Sequence, residues 1–387
     1  MFFKITKTAT VQVISMVHIG MHHYWKVIVL TEHDDSYWFG DVVDKLVSNA
    51  LGEPRGPLTD PVRGNNAKIG LIYEAARKKF GRPISLTAAE MLQAKIRSND
   101  IVLMITNSHE MDGAPGIAAL ARAIDIGLGG ISVIVSSTAA TDLLPDPART
   151  IRVIPETCIA AGLMPVDPSK LKARKHRVSV LSFPPSTAEE ATLRAETIVH
   201  QWNPSVVISS EDMGRNFKGV YHTAFGFGHH SDPSMRAGRL DHILDAARAA
   251  KIPTISLGDN GNEMGLGTIE DAIRKYQPWG DKCRCPCGSG IATSVKADIA
   301  FPATISNWGC YGIAACLAHL VGNGEVMHDG RLQKRILHAC ADIGCPDGAT
   351  SYTTPTEDGT PYMTGVHIVE LLRLSVLQSL KTFEREW

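Results

Sequence analysis

The sequence carries almost no net charge. Its 39 Lys and Arg balance 40 Asp and Glu, a formal charge of −1 over 387 residues. That balance leaves no electrostatic footprint for nucleic acid or for an anionic membrane surface, so neither is expected as a partner. Cysteine is sparse. Eight Cys are too few for a disulfide scaffold, and they read as reduced thiols of a cytoplasmic protein. Internal repeats and low-complexity tracts are lacking, which argues against solenoids and linkers. So are the Gly-x-Ser-x-Gly elbow, the Walker loop and His-Glu-x-x-His, which weakens serine-hydrolase, NTPase and zincin readings. No Gly-x-Gly-x-x-Gly stands in proper register, so no nucleotide cofactor is expected.

One apolar stretch, Val11 to Leu30, is long enough to test as a membrane segment. Gln12, His18, His22, His23 and Lys26 interrupt it, and a bilayer core would penalise each of them. An Ala-x-Ala cleavage site is also missing. Residues 1–36 therefore read as a non-membrane extension. The alternative is a targeting segment, which would make the protein organellar.

What is present is an ordinary core composition. Hydrophobic residues make up 44%, enough for a sizeable core and too many for a disordered chain. The 15 His point to no single chemistry. From residue 100 onward, short apolar runs alternate with helical periodicity. Strands are expected at 101–106, 131–136, 178–183, 205–210, 253–257 and 297–301. Helices are expected at 115–127, 187–202, 239–250, 263–276, 308–321, 331–342 and 364–383. The alternation predicts an α/β fold: a mostly parallel sheet with helices on both faces. Residues 37–97 read as a helical N-terminal cap. Pro145 to Lys175 is the candidate boundary if the fold has two lobes. The apolar helices at 308–321 and 364–383 are expected either in the interior or against a second copy in a homo-oligomer.

Ligands of open α/β sheets sit beyond the carboxyl ends of the strands, so the loops there are the candidates for chemistry. After 101–106 comes Asn107-Ser-His-Glu-Met-Asp-Gly-Ala-Pro-Gly116, where Glu110 and Asp112 suit a divalent cation. Asp112 or Ser108 would also serve as a simple helix cap. After 205–210 comes Glu211-Asp-Met-Gly-Arg215, with Arg215 suited to a carboxylate or phosphate. The long loop that follows holds His229 and His230, weak candidates as metal ligands. After 253–257 comes Gly258-Asp-Asn-Gly-Asn-Glu-Met-Gly-Leu-Gly267, the densest signal in the chain. Asp259 and Glu263 would turn toward one point if a helix began near Asn262, and such oxygens suit Mg²⁺ or Mn²⁺. Cys283-Arg-Cys-Pro-Cys-Gly288 has single-residue spacing, tighter than a zinc knuckle, and reads as a loop with incidental thiols. Ser306 reads as a helix N-cap, with Asn307 and Trp308 either structural or facing a pocket. Asp347-Gly348 and Asp358-Gly359 read as turns.

Glu211 to Arg215, Gly258 to Gly265 and Ser306-Asn-Trp-Gly309 together resemble the D-glutamate cyclase family, in its C-terminal-type domain. The Glu110 to Gly116 loop and the two Asp-Gly turns fit the same pattern. The resemblance runs from about residue 37 to 385, so residues 37–387 are expected to form that domain. In this chain Asn260 stands where the family usually has Gly. The resemblance implies closure of D-glutamate, or a close acidic analogue, to 5-oxo-D-proline with loss of water, or the reverse hydrolysis. For that reaction, Mn²⁺ or Mg²⁺ is expected on Asp259 and Glu263 with Glu110 or Asp112. Glu211, Asp259 and Glu263 are the expected catalytic acids. Arg215 and Asn262 are expected to hold the substrate's α-carboxylate, with Asn260, Asn307 and Trp308 beside the substrate. Two rivals remain: a divalent-metal-dependent phosphatase or other hydrolase, and a non-catalytic binder of an acidic metabolite.

Overall fold

The computed structural model describes residues 12–19, 22–28, 35–48, 67–137, 146–229 and 238–381. Strands β1 (Gln12–Ile19) and β2 (His22–Ile28) pair antiparallel, so the apolar N-terminal stretch contains a hairpin. No helix among the described residues is long and apolar enough to cross a membrane. Three helices follow: α1 (Asp35–Ser48), α2 (Ala67–Phe80) and α3 (Ile84–Lys95). Then come β3 (Ile101–Thr106), α4 (Ala114–Leu128), β4 (Ile131–Ser137), α5 (Pro147–Ala160), β5 (Met164–Pro165) and β6 (Arg177–Phe183). The chain continues through α6 (Ala188–Trp202), β7 (Val206–Ser210), the short β8 (Tyr221–His222) and β9 (Gly228–His229), α7 (Asp241–Ala249) and β10 (Thr254–Gly258). It closes with α8 (Glu270–Tyr276), β11 (Ile299–Pro302), α9 (Ser306–Val321), α10 (Gly330–Asp342) and α11 (Tyr362–Ser379).

Seven strands form one sheet in the order β11-β10-β7-β3-β4-β6-β5, and every neighbouring pair is parallel. The expected α/β class is therefore correct. Side chains of β3 show why. Val102 and Met104 join one apolar layer, with α3, α4, α9 and α10, while Leu103 and Ile105 join the other, with α6 and α7. Alternate residues of a strand point to opposite faces, so a continuous apolar run is stable only when both faces are covered. Each such side chain contributes about 1.5–3 kcal/mol on burial.

The order of strands fixes where a ligand can sit. The sheet starts in its middle at β3 and grows one way through β4 and β6. It then returns to the other side of β3 as β7 and grows outward through β10 and β11. The direction reverses between β3 and β7, which opens a crevice at their carboxyl ends.

Several local features support this frame. Buried Asp44 of α1 accepts hydrogen bonds from Tyr73 of α2 (2.7 Å) and from the backbone N–H of Ile84 (2.5 Å) and Ser85 (3.0 Å), tying the three N-terminal helices together. Helix α9 is buried along most of its length, and α1, α3, α4 and α11 of the same chain surround it. The segment considered as a lobe boundary holds α5, which packs on α10 and α4, and β5, which extends the sheet beside β6. One helix differs from expectation. The helix anticipated from residue 263 begins only at Glu270. Gly265 has φ +89°, which interrupts any helix before it, and the Glu263 side chain caps its own turn instead.

Candidate active site

Two helix N-termini meet at the crevice and exchange caps. Asp112, in the loop before α4, accepts N–H bonds from Ser306 and Asn307 at the start of α9, each 2.8 Å. In return, Asn307 Oδ1 accepts from Gly113 N–H (2.9 Å) and Gly116 N–H (2.7 Å) at the start of α4. Gly116 permits this approach, because a Cβ there would lie 2.7 Å from Asn307 Cα. Asp112 thus caps α9, not the helix that follows it in sequence. Ser306 does not cap with its side chain; its hydroxyl donates to Glu211 Oε2 (2.5 Å).

Around these termini lies a cluster of acids. Glu110 and Asp112 come from the loop after β3, Glu211 and Asp212 from the end of β7, and Asp259 and Glu263 from the loop after β10. Glu211 is fixed directly at the switch point: its carbonyl accepts from Asn107 Nδ2 (2.7 Å), across from β3. It sits in the left-handed region at φ +48°, an uncommon conformation for Glu that is concentrated at functional sites. Among the described residues, one oxygen each of Asp112, Glu211 and Asp259 lie within 4.8 Å of one another. Asp259 Oδ2 is buried with no N–H donor to it, and the Asp259 carboxyl meets those of Asp358 and Glu263.

Burial holds these carboxyls toward their protonated forms. It pushes Glu110 up to about 8, with Asp358 and Asp347 adding repulsion. Burial pushes Asp212 up to about 7, with help from Asp241. Asp112, Glu211 and Asp259 rise well above the carboxylate range, first through burial and then through the neighbouring acids. Removing so many anions from water is costly unless protons or a cation neutralise them. Three hard oxygen donors within 4.8 Å of one another, one of them without an N–H donor, fit a Mg²⁺ or Mn²⁺ ion.

The anticipated residues divide into those at the cluster and those that brace it. Glu110, Asp112, Glu211 and Asp259 come together. Glu263 stands next to them but turns its carboxylate onto the backbone N–H of Asn260 (3.1 Å) and Gly261 (2.6 Å). Asn260 donates to Asp259 Oδ1 (2.6 Å) and accepts from Lys68 (3.2 Å) and Gln277 (3.3 Å). The Asn307 amide also donates to the Met111 carbonyl (3.0 Å) and Glu357 Oε1 (2.9 Å), so four protein partners engage it. Trp308 is fully buried, its indole N–H 3.4 Å from Glu357. Asn262 donates to the His222 carbonyl (2.9 Å). Arg215 is engaged by Asp241 (2.5 Å) and Asp245, so its guanidinium is already neutralised.

Three further acids, unassigned from sequence, complete the wall. Asp347, Glu357 and Asp358 arrive on the loop between α10 and α11. Burial, followed by repulsion from acids such as Asp347, raises Asp358, while the Lys68 ammonium opposes that rise. Glu357 is pushed up to about 7 by burial despite hydrogen bonds from Asn307, Trp308 and Tyr311. Gly348 and Gly365 make room, since a Cβ at either would run into Glu110 Oε2 or Glu357 Oε2. The signal for these acids was the pair of Asp-Gly turns.

The family described as D-glutamate cyclase-like, C-terminal, matches residues 87–373. The chain belongs to that family. The matched span holds every acid of the cluster; Lys68, α1 and α2 lie before it. The human protein called D-glutamate cyclase, mitochondrial, is 36% identical over 116 residues. That stretch is 29% of this chain and 16% of the human protein.

Proposed function

We propose that the chain closes D-glutamate, or a close acidic amino-acid analogue, into 5-oxo-D-proline with loss of water, or catalyses the reverse hydrolysis, with the help of a divalent cation. The observation that carries this reading is the buried acid cluster at the switch point of a sheet belonging to the cyclase-like family. Membership of the cyclase-like family favours this reading over the metal-dependent phosphatase alternative.

Asp112, Glu211 and Asp259 are the residues that would hold Mn²⁺ or Mg²⁺. When bound there, the ion supplies Lewis-acid polarisation of the distal carboxylate. The remaining work falls to the chain. Cyclisation forms a bond between the amine nitrogen and the distal carboxyl carbon, breaks a C–O bond of that carboxyl and releases water. Glu211, oriented by Ser306 and ionised when a cation neutralises the cluster, takes a proton from the substrate ammonium and frees the amine. Glu110, which keeps its proton to about pH 8, delivers one proton to the departing oxygen; the second comes from the nitrogen, which sheds it as the N–C bond forms, so the oxygen leaves as water, and the proton held by Glu211 restores Glu110. Lys68, which donates to Asn260 beside Asp259, is a cation beside the cluster for the α-carboxylate, whereas Arg215 is held away on Asp241 and Asp245. Buried walls hold the substrate folded, which supplies the proximity advantage. The unpaired thiols suit a reducing compartment, the cytoplasm or an organelle, and the human relative is called mitochondrial.

The test is turnover of D-glutamate by the wild type, Asp259→Asn and Glu211→Gln, each confirmed folded by circular dichroism. Both variants should lose activity by at least about 10²-fold, as removal of an acid–base group requires. Near-wild-type turnover in either would sink the assignment.

A further inference from the structure

A second cluster lies outside the acid site. His222, at the end of β8, meets Cys283, Cys285 and Cys287 from the loop after α8, and one ligand atom of each lies within 4.8 Å of the others. His222 Nε2 is 3.3 Å from Cys285 Sγ and 3.4 Å from Cys287 Sγ. Cys283 Sγ is 3.4 Å from Cys285 Sγ and 3.2 Å from Cys287 Sγ. These separations are far beyond a disulfide bond of about 2.05 Å. They approach the edge of about 3.8 Å that a tetrahedron with zinc–sulfur bonds of about 2.3 Å requires. We propose that His222, Cys283, Cys285 and Cys287 form a structural zinc site.

The donor set decides both the metal and its role. Three thiolates and an imidazole select zinc over the hard cations suited to the acid cluster. Four protein ligands close the coordination shell, which leaves no position for substrate. The surroundings are built to hold the ligands. Asn216 Nδ2 approaches Cys287 Sγ (3.7 Å), and Lys218 Nζ donates to the Cys287 carbonyl (2.9 Å). A Cβ at Gly228 would lie 2.7 Å from Cys285 Sγ, so the β8–β9 hairpin can pass only as glycine there. Three thiolates around Zn²⁺ leave one negative charge. Lys218 is placed to offset it, and Arg284, stacked on Trp279 at 4.2 Å, brings a second cation to the loop. Such supporting contacts orient metal ligands.

Sequence spacing concealed the site. The three Cys are separated by single residues, and the fourth ligand comes from about sixty residues earlier. It is His222, not the His229-His230 pair; His229 is described for its backbone alone and His230 lies outside the described residues. The zinc would staple the excursion after β7 to the loop after α8. The His222 carbonyl also holds Asn262, the neighbour of Glu263, so the staple braces the loop that carries Asp259.

The test is metal content of the full-length protein purified without chelator, by inductively coupled plasma mass spectrometry. The wild type should carry about one zinc per chain. Cys287→Ser and His222→Ala should fall below about a tenth of that, because loss of one ligand opens the closed shell. Cys316→Ser, in the core of α9, should keep it. If the ligand variants fail to fold, cobalt(II) exchanged into the wild type gives an independent reading. Thiolate-to-cobalt charge transfer with tetrahedral ligand-field bands supports the site, and octahedral cobalt overturns it. A wild type that neither carries zinc nor binds added zinc also overturns it. So do iron in its place, a Cys283–Cys287 disulfide, or zinc retained by Cys287→Ser and lost by Asp259→Asn.

Discussion

Metal-free protein should lose stability as pH rises from about 5 to about 8. Glu110 has an ordinary value of 4.5, and in the folded chain it is pushed up to about 8. Across that window the folded chain keeps a proton that the unfolded chain releases. The native state therefore binds more protons, and raising the pH favours unfolding. One retained proton gives a slope of about 1.4 kcal/mol per pH unit. Over the whole window Glu110 alone sets a ceiling of about 5 kcal/mol, as large as the total stability of many domains. Glu357 and Asp212, both pushed up to about 7, act in the same direction with windows that close near pH 7. A divalent cation on Asp112, Glu211 and Asp259 offsets the repulsion and should flatten the profile. The assay is urea unfolding of EDTA-treated protein, followed by circular dichroism at several pH values between 5 and 8, with and without Mn²⁺. Glu110→Gln should lower the slope by about one proton's worth, roughly 1.4 kcal/mol per pH unit. Stability that stays flat or rises over this range without metal, or an unchanged slope in Glu110→Gln, would refute the reasoning.

Other expectations follow from the same geometry. Asp259→Asn should abolish turnover and remove the stabilisation that Mn²⁺ gives the wild type, while changing the metal-free melting temperature little, since the carboxyl it replaces is held toward its neutral form there; differential scanning fluorimetry reads both metal states, and an undiminished Mn²⁺ shift in the variant would contradict it. Asn307→Ala should cost about 2–4 kcal/mol in chemical denaturation, because its amide makes four hydrogen bonds at roughly 1 kcal/mol each; a loss of activity with unchanged stability would instead make Asn307 a substrate ligand. Gly348→Ala should displace Glu110 and lower turnover while leaving zinc content unchanged, and wild-type kinetics would show that Glu110 is not where the reaction needs it.

The strands were legible because a parallel strand covered on both faces is a short apolar run, as at Ile101–Thr106 and Thr254–Gly258. Helix type was legible where apolar periodicity ran long, as in α6, or where an apolar run was too long for a strand, as in α9. The start of α8 was not, because Glu263 chose its own backbone over the helix and Gly265 took a positive φ. At the site, acids directly after strands could be found from order alone, since strand ends converge in any such sheet. Partnerships between distant loops could not. Nothing local shows that Asp112 caps α9 or that Asn307 caps α4, or that Asp347 and Asp358 fold onto Glu110. Arg215 illustrates the same limit: its partners Asp241 and Asp245 lie one helix further on, and only the folded chain brings them within reach.

The most direct test of the central claim is proton NMR of the purified protein with D-glutamate, and separately with 5-oxo-D-proline, run with Mn²⁺ and again with EDTA. The account predicts interconversion that requires the metal and disappears in Asp259→Asn. No conversion of either compound with Mn²⁺ present, or conversion that proceeds equally in EDTA, would contradict it.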